Sequence, residues 1–227
     1  GGSNALLVMP DAAVSKAVKL AAQARIVNAG QSCIAAKRIL IPKSWEKDFV
    51  RRLNEEISGL RSGDPILPST QLAPLARREM AAKLERQVSD SLAKGAKILG
   101  DVEVNNAWFR PLVVYKVKPH HRVFREETFG PVFSISSYKN TQEAIDLINA
   151  SRYGLGASIL GEDKGAMKAV ADKLEEGSIY FNQAVISDPA IPFGGTKESG
   201  FGREMAAEGL FEFSNLQPWV FKENKKR

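Results

Sequence analysis

Cys33 is the only cysteine in the 227-residue chain, so its chemistry is that of a free thiol and a reducing compartment is expected. It lies in Asn28-Ala29-Gly30-Gln31-Ser32-Cys33, beyond the glycine that ends an expected helix and ahead of an expected strand. At such a junction a thiol can reach solvent and act as a nucleophile, although a free cysteine is more commonly buried as a small hydrophobe. Spacing alone leaves both readings open. The adjacent His120-His121 follow Pro119 in a polar connection, and their spacing supports neither a Cys-His dyad nor a zinc site. Two further segments carry reactive types. Glu126-Glu127-Thr128-Phe129-Gly130-Pro131 sets two carboxylates and a ring at the head of a strand. Pro192-Phe193-Gly194-Gly195 and Ser199-Gly200-Phe201-Gly202 place four glycines within nine residues. Paired acids at a strand entry are usually solvated, and glycine-rich turns usually serve backbone geometry; neither GxGxxG nor a P-loop occurs.

The elements that must position these segments alternate. A buried strand is expected over 5–9, followed by a helix capped by Asp11 that runs to Gly30 with Val14, Ala17, Val18, Ala21 and Ala22 at helical spacing. A strand over 38–41 leads into a Ser44-capped helix ending near Gly63, and a long charged helix over 76–94 has Gly95 as its C′ residue. Strands follow over 97–99, 112–115, 132–138, 157–160 and 178–181, with helices over 141–151 and 165–176 between the later ones. This βαβ rhythm predicts an α/β fold with a mostly parallel sheet covered by helices on both faces. Beyond the glycines a short helix over 203–213 and a last strand over 216–221 are expected.

Composition narrows the class. With 44% hydrophobic and 26% charged residues the chain can bury a core, and it holds no run of about 18 apolar residues. Disorder, a coiled coil and a membrane span are excluded, and a cytoplasmic location is expected. The formal charge of +6 is concentrated at the end, where the last six residues hold four cations and one anion. No basic stripe with interleaved aromatics appears elsewhere, so neither nucleic acid nor a membrane is an expected partner.

Taken in order, Asn-x-Gly-Gln-x-Cys, Glu-Glu-x-Phe-Gly-Pro and Pro-Phe-Gly-Gly-x-Lys-x-Ser-Gly-x-Gly-Arg-Glu resemble the aldehyde dehydrogenase superfamily from Asn28 to Glu204, nearest its bacterial succinate-semialdehyde dehydrogenases. The resemblance implies that Cys33 is the nucleophile. Its thiolate would attack an aldehyde, hydride would pass to NAD or NADP, and water would hydrolyse the resulting thioester to the acid. It implies that the Cys33 N–H is an oxyanion donor, that Glu127 holds the nicotinamide ribose, that Phe129 lies beside the nicotinamide and that Phe193 lines the substrate tunnel. It further divides the chain into a catalytic domain over 1–202, a helix over 203–213 that packs on a coenzyme domain, and an oligomerisation strand with basic tail over 214–227. A homodimer or homotetramer is implied.

The departures from the family pattern are informative. The chain begins on Gly1-Gly2, which resemble the end of the family's Glu-Leu-Gly-Gly segment, so the general-base glutamate and the coenzyme domain are expected upstream of Gly1 and the chain alone is expected to be inactive. Some semialdehyde dehydrogenases carry an arginine just before the cysteine motif; Val27 stands there, leaving Ser187 and, more remotely, Arg38 to hold a distal carboxylate. Ala35 replaces the second cysteine of relatives with a regulatory disulfide. Two other readings remain: an acylating dehydrogenase or acyl-phosphate reductase, in which coenzyme A or phosphate replaces water, and a non-catalytic domain that self-associates through its last strand.

Overall fold

The structure, a computed structural model, describes residues 1–222. Strand β1 (Ala5–Val8) leads into α1 (Val14–Ile26), β2 (Arg38–Pro42) into α2 (Glu46–Ser58), and α3 (Arg78–Ala93) into β3 (Lys97–Ile98). A hairpin of β4 (Val104–Asn105) and β5 (Trp108–Phe109) precedes β6 (Leu112–Tyr115), α4 (Arg122–Arg125), β7 (Val132–Tyr138) and α5 (Thr141–Asn149). Then come β8 (Tyr153–Gly154), β9 (Ala157–Leu160), α6 (Lys164–Ala171), β10 (Ile179–Phe181), β11 (Thr196–Lys197) and α7 (Ala206–Phe211).

Seven strands form one sheet in the order β10-β9-β1-β2-β7-β6-β3. Every neighbouring pair is parallel except β3 with β6. The expected α/β architecture is therefore present, and its central strands are buried along their whole length, as a sheet covered on both faces requires. Alternation divides the core. Leu6, Val8, Ile39 and Ile41 pack with Phe49 and Leu53 of α2 on one face, while Leu7, Leu40 and Ile159 pack with Ile145, Ile148 and Met167 on the other. A third cluster sets Leu84 and Val88 of α3 against Leu112, Val114 and Val132.

Several expected boundaries move, each for a physical reason. Asp11 does not cap α1; its carboxylate accepts the Glu162 and Asp163 N–H groups at 3.0 and 2.8 Å, tying the turn after β1 to the turn after β9. Ser44 lies in a 3-10 turn before α2 and caps nothing. The side-chain caps are Asn140 on α5 and Asp163 on α6. The helix expected to reach residue 176 stops at Ala171, and the helix expected over 203–213 is the six-residue α7. The segment over 216–221, expected to pair across subunits, forms no strand among the described residues of one chain, and its Leu216, Val220 and Phe221 are each more than four-fifths exposed. Residues 223–227 of the expected basic tail lie outside the described residues.

One buried ion pair locks three elements together. Arg38, at the start of β2, is fully buried; its Nε donates to the Ser3 carbonyl at 2.8 Å and its Nη1 to the Leu147 and Ile148 carbonyls at 2.9 Å each. A cation so placed answers the unpaired carbonyls and negative dipole end of α5. Its Nη2 stands 3.6 Å from Glu176 Oε1. Burial pushes the Glu176 carboxyl up to about 7, against the opposing pull of Arg38 and Lys197.

Two predictions follow from this packing. Phe133 is fully buried at the sheet centre, so Phe133→Ala should destabilise by about 3–5 kcal/mol in urea denaturation, whereas Ile66→Ala, on an exposed loop, should stay within about 0.5 kcal/mol. For Glu176 the folded state holds its proton more tightly than the unfolded state, whose value is near 4.5, so its stabilising contribution is complete below that value and lost as pH rises through about 7. Glu176→Gln should therefore flatten the change in denaturation midpoint between about pH 5 and about pH 8; an unchanged slope refutes the assignment.

Candidate active site

The segments singled out in the sequence meet at the amino edge of the sheet. Gly1-Gly2 precede β1, Cys33 precedes β2, Glu127 and Phe129 precede β7, and Leu155 precedes β9. Ligands of open α/β sheets generally bind at the carboxyl ends of the strands. Here the reactive types are carried on connections that enter strands, so the site forms at the opposite edge.

The path into Cys33 is unusual backbone. Asn28, Ala29 and Gly30 all have positive φ, at 49°, 55° and 76°. Asparagine and glycine tolerate that region, and Gly30 has a second reason to lack a side chain: a Cβ there would run into the Gly130 carbonyl of the strand-entry segment. Gln31 closes the turn, its Nε2 donating to the Asn28 carbonyl at 3.2 Å and its Oε1 accepting the Ala76 N–H at 2.8 Å. Asn28, Gly30 and Gln31 thus shape the turn that presents the half-buried Cys33.

Cys33 lies on the wall of a cavity of about 490 Å³ shared with Gly1, Leu155, Phe193, Phe201 and Arg203. The glycine-rich segment forms the facing wall. Phe193 and Glu204 exchange backbone hydrogen bonds at 2.8 and 2.7 Å, and Arg203 Nη1 donates to the Gly195 carbonyl at 3.0 Å. Glu127 and Phe129 line a different cavity, of about 440 Å³, against Gln87 and Leu84 of α3. Gly1-Gly2 run between the two: Gly2 N–H donates to Glu127 Oε1 at 3.2 Å, and a Cβ on Gly2 would stand 3.1 Å from the Cys33 carbonyl. The neighbouring Glu126 is held by Arg122 at 2.7 Å and Gln87 at 2.9 Å, and these keep its carboxyl below the usual range against the effect of burial.

Beneath these loops lie two more cations. Lys37 is fully buried; its Nζ donates to the Ser32, Cys33 and Ala35 carbonyls at 2.8, 2.9 and 3.3 Å and stands 3.4 Å from Glu127 Oε1. Burial, reinforced by Arg25, pulls its ammonium down to about 7, against the pull of Glu127 and of Cys33. Arg25 is also fully buried, donates to the Thr128 and Val132 carbonyls at 2.8 and 2.7 Å and to the Gly130 carbonyl, and is drawn down by burial to about 9.

The structure therefore brings Cys33 and Phe193 together, and Glu127 with Phe129, on either side of one glycine pair. Ser187 is not brought in: it is exposed, outside the lining of the Cys33 cavity, with Met205 Sδ 3.6 Å from its hydroxyl. Arg38 is also unavailable to a substrate, being committed to three carbonyls and Glu176. His121 is buried with both ring nitrogens engaged, Nδ1 by the Lys118 N–H at 3.0 Å and Nε2 by the Lys94 carbonyl at 3.1 Å, and it does not line the Cys33 cavity. No group of three or more His, Cys, Asp or Glu among the described residues is placed to hold a metal ion. Lys37 and Arg25 are the site residues the sequence reading missed. The signal for Lys37 was a Lys-Arg pair between alanines and a strand of isoleucine and leucine.

Comparison with known proteins agrees with this geometry. The aldehyde dehydrogenase family model matches residues 1–218. The NADP(+) succinate-semialdehyde dehydrogenase of Deinococcus radiodurans is 39% identical over 218 residues, 95% of this chain and 46% of that protein. The NAD(P)+ succinate semialdehyde dehydrogenase Sad of Escherichia coli is 39% identical over 220 residues, 96% of this chain and 48% of that protein. Among solved structures, the betaine aldehyde dehydrogenase of Staphylococcus aureus in complex with NAD+ superposes with a TM-score of 0.90 at 31% identity, covering 100% of this chain and 48% of that one. A succinate-semialdehyde dehydrogenase from Burkholderia pseudomallei gives 0.89 at 32%, covering 94% and 45%. The chain spans about half the length of the curated relatives it matches. Motifs that short could each arise alone, but a match running along nearly the whole sequence, with a shared backbone, could not: the chain belongs to the aldehyde dehydrogenase family.

Proposed function

We propose that this chain supplies the thiol half of an NAD(P)+-dependent aldehyde dehydrogenase whose substrate is succinate semialdehyde. The observation that carries this reading is a lone, half-buried cysteine on a cavity wall, separated only by Gly1-Gly2 from a carboxylate on a second cavity. In this reading the Cys33 thiolate attacks the aldehyde carbon, a C–S bond forms, and the carbonyl oxygen gains negative charge beside the Cys33 N–H. Loss of hydride from that carbon leaves a thioester on Cys33; water then adds, the C–S bond breaks, and the acid leaves with the thiol restored. A thiolate suits both halves, as a soft nucleophile and a competent leaving group.

The residues present fit the coenzyme. Glu127 is partly solvent-exposed, at 21% of its side chain, and beside it Phe129 offers a flat apolar surface on the same cavity. Such a carboxylate accepts two hydrogen bonds from vicinal hydroxyls, the requirement of a ribose. Bound there, NAD(P)+ would supply the hydride acceptor. Phe193 and Leu155 give the Cys33 cavity an apolar wall suited to a short methylene chain. The preference for succinate semialdehyde is supported by the names of the relatives.

A homo-oligomer is part of the proposal. Among the described residues β10 has a neighbour on one side only, and the segment over 214–222 exposes Leu216, Trp219, Val220 and Phe221, so pairing it on the β10 edge of another copy would cover both.

Cys33→Ala in the protein carrying this chain should abolish NAD(P)H formation across an aldehyde panel while leaving the melting temperature unchanged; retained turnover would falsify the assignment. Glu127→Gln should raise the KM for coenzyme about tenfold or more, the loss of charge-assisted hydrogen bonds, with little change in the KM for aldehyde. Removal of residues 214–227 should convert an associated species to monomer in sizing chromatography, and an unchanged elution volume argues against the strand pairing.

A further inference from the structure

The reading above uses Cys33 and Glu127 but leaves unexplained the ammonium between them. A lysine carried into the interior normally loses more in hydration than it recovers, so its retention calls for specific partners. Lys37 has four, and all of them belong to the site. Three are carbonyls of the turn over 32–35 that holds the thiol. The fourth is Glu127 Oε1, 3.4 Å away, the same oxygen that accepts the Gly2 N–H at 3.2 Å. The charged or titratable groups facing Lys37 are Arg25 from α1, Glu127 from the segment before β7, and Cys33 from its own loop.

We propose that Lys37 is a positioning residue that couples the two halves of the site: one buried ammonium orders the carbonyls of the Cys33 turn and anchors the Glu127 carboxylate, so that the coenzyme-side carboxylate acts on the thiol through it. The proposal rests on the reading of Cys33 as nucleophile and Glu127 as ribose-holding carboxylate, but its test is read on the thiol and not on turnover. When protonated, Lys37 also places a positive charge under the Cys33 loop, and burial sets its proton loss near 7.

Since the chain has a single cysteine, iodoacetamide alkylation reports Cys33 alone. Lys37→Met should slow alkylation about tenfold at about pH 6, with the difference closing toward about pH 9 as Lys37 in the wild type loses its charge, and Lys37→Arg should keep the low-pH rate. A turn that is merely loosened changes the rate by the same factor at every pH, and that outcome overturns the proposal. Glu127→Gln removes the carboxylate that helps Lys37 keep its proton and should slow alkylation severalfold at about pH 7 with Lys37 present and leave it unchanged in Lys37→Met; equal effects in both backgrounds also overturn it. Should Lys37→Met fail to fold by circular dichroism, Glu127→Gln alone decides, because unaltered Cys33 reactivity in that variant refutes the coupling. Failure of the catalytic reading shows separately, as turnover retained in Cys33→Ala.

Discussion

Three cations buried side by side at the amino edge of the sheet set the terms for everything built there. Arg25, Lys37 and Arg38 are each fully excluded from water, and between them they take carbonyls from the segment before β1, the Cys33 turn, the approach to β7 and the last turn of α5. An ion in that position is tolerable only with several well-placed acceptors, and each acceptor left unpaired would lose about 1–3 kcal/mol. The loops are therefore held by electrostatics from below. Their conformation is a property of the buried charges as much as of their own residues.

That support explains how the site sustains backbone that would not persist by itself. Ala29 occupies the left-handed region with no compensating side chain, and it sits between Asn28 and Gly30 in the same region. Non-glycine residues remain there when the surroundings over-determine them. Gly30 is pressed against the Gly130 carbonyl, and the same carbonyl is a partner of Arg25. The cysteine motif and the glutamate motif, almost a hundred residues apart in sequence, are thus one packed unit whose glycines mark where backbone meets backbone.

The proposed chemistry would use this layout. In the proposed reading a substrate on Cys33 and a coenzyme on Glu127 must meet for hydride to pass, and the two cavities adjoin at Gly1-Gly2. The glycine pair lies where they adjoin, and a Cβ on Gly2 would stand 2.9 Å from Leu155 Cδ2 and 3.1 Å from the Cys33 carbonyl. Just beyond α7, Glu212 and Phe213 line the Cys33 cavity, while the described residues from 214 onward are exposed.

Local pattern determined the order and type of the elements that bury hydrophobic side chains, because period and burial are properties of short windows: β1 and Ile39-Leu40-Ile41 of β2 are apolar runs, β7 and β9 mix apolar residues with serine, and Gly95 ends α3 with a φ of 101°. The motifs singled out Cys33, Glu127, Phe129 and Phe193, which the structure places on two adjoining cavities. What a window cannot contain is the partner of a polar group. Asp11 was free to cap α1 and instead holds the turn after β9; Ser187 lies outside the lining of the Cys33 cavity. Lys37 and Arg25 read as ordinary solvated cations until the sheet brought carbonyls to them from residues 32 to 35 and 128 to 132. Composition and period determined which residues leave water together, and the tertiary structure alone decided which charges go with them, since only distant chain can supply the acceptors that make a buried charge stable.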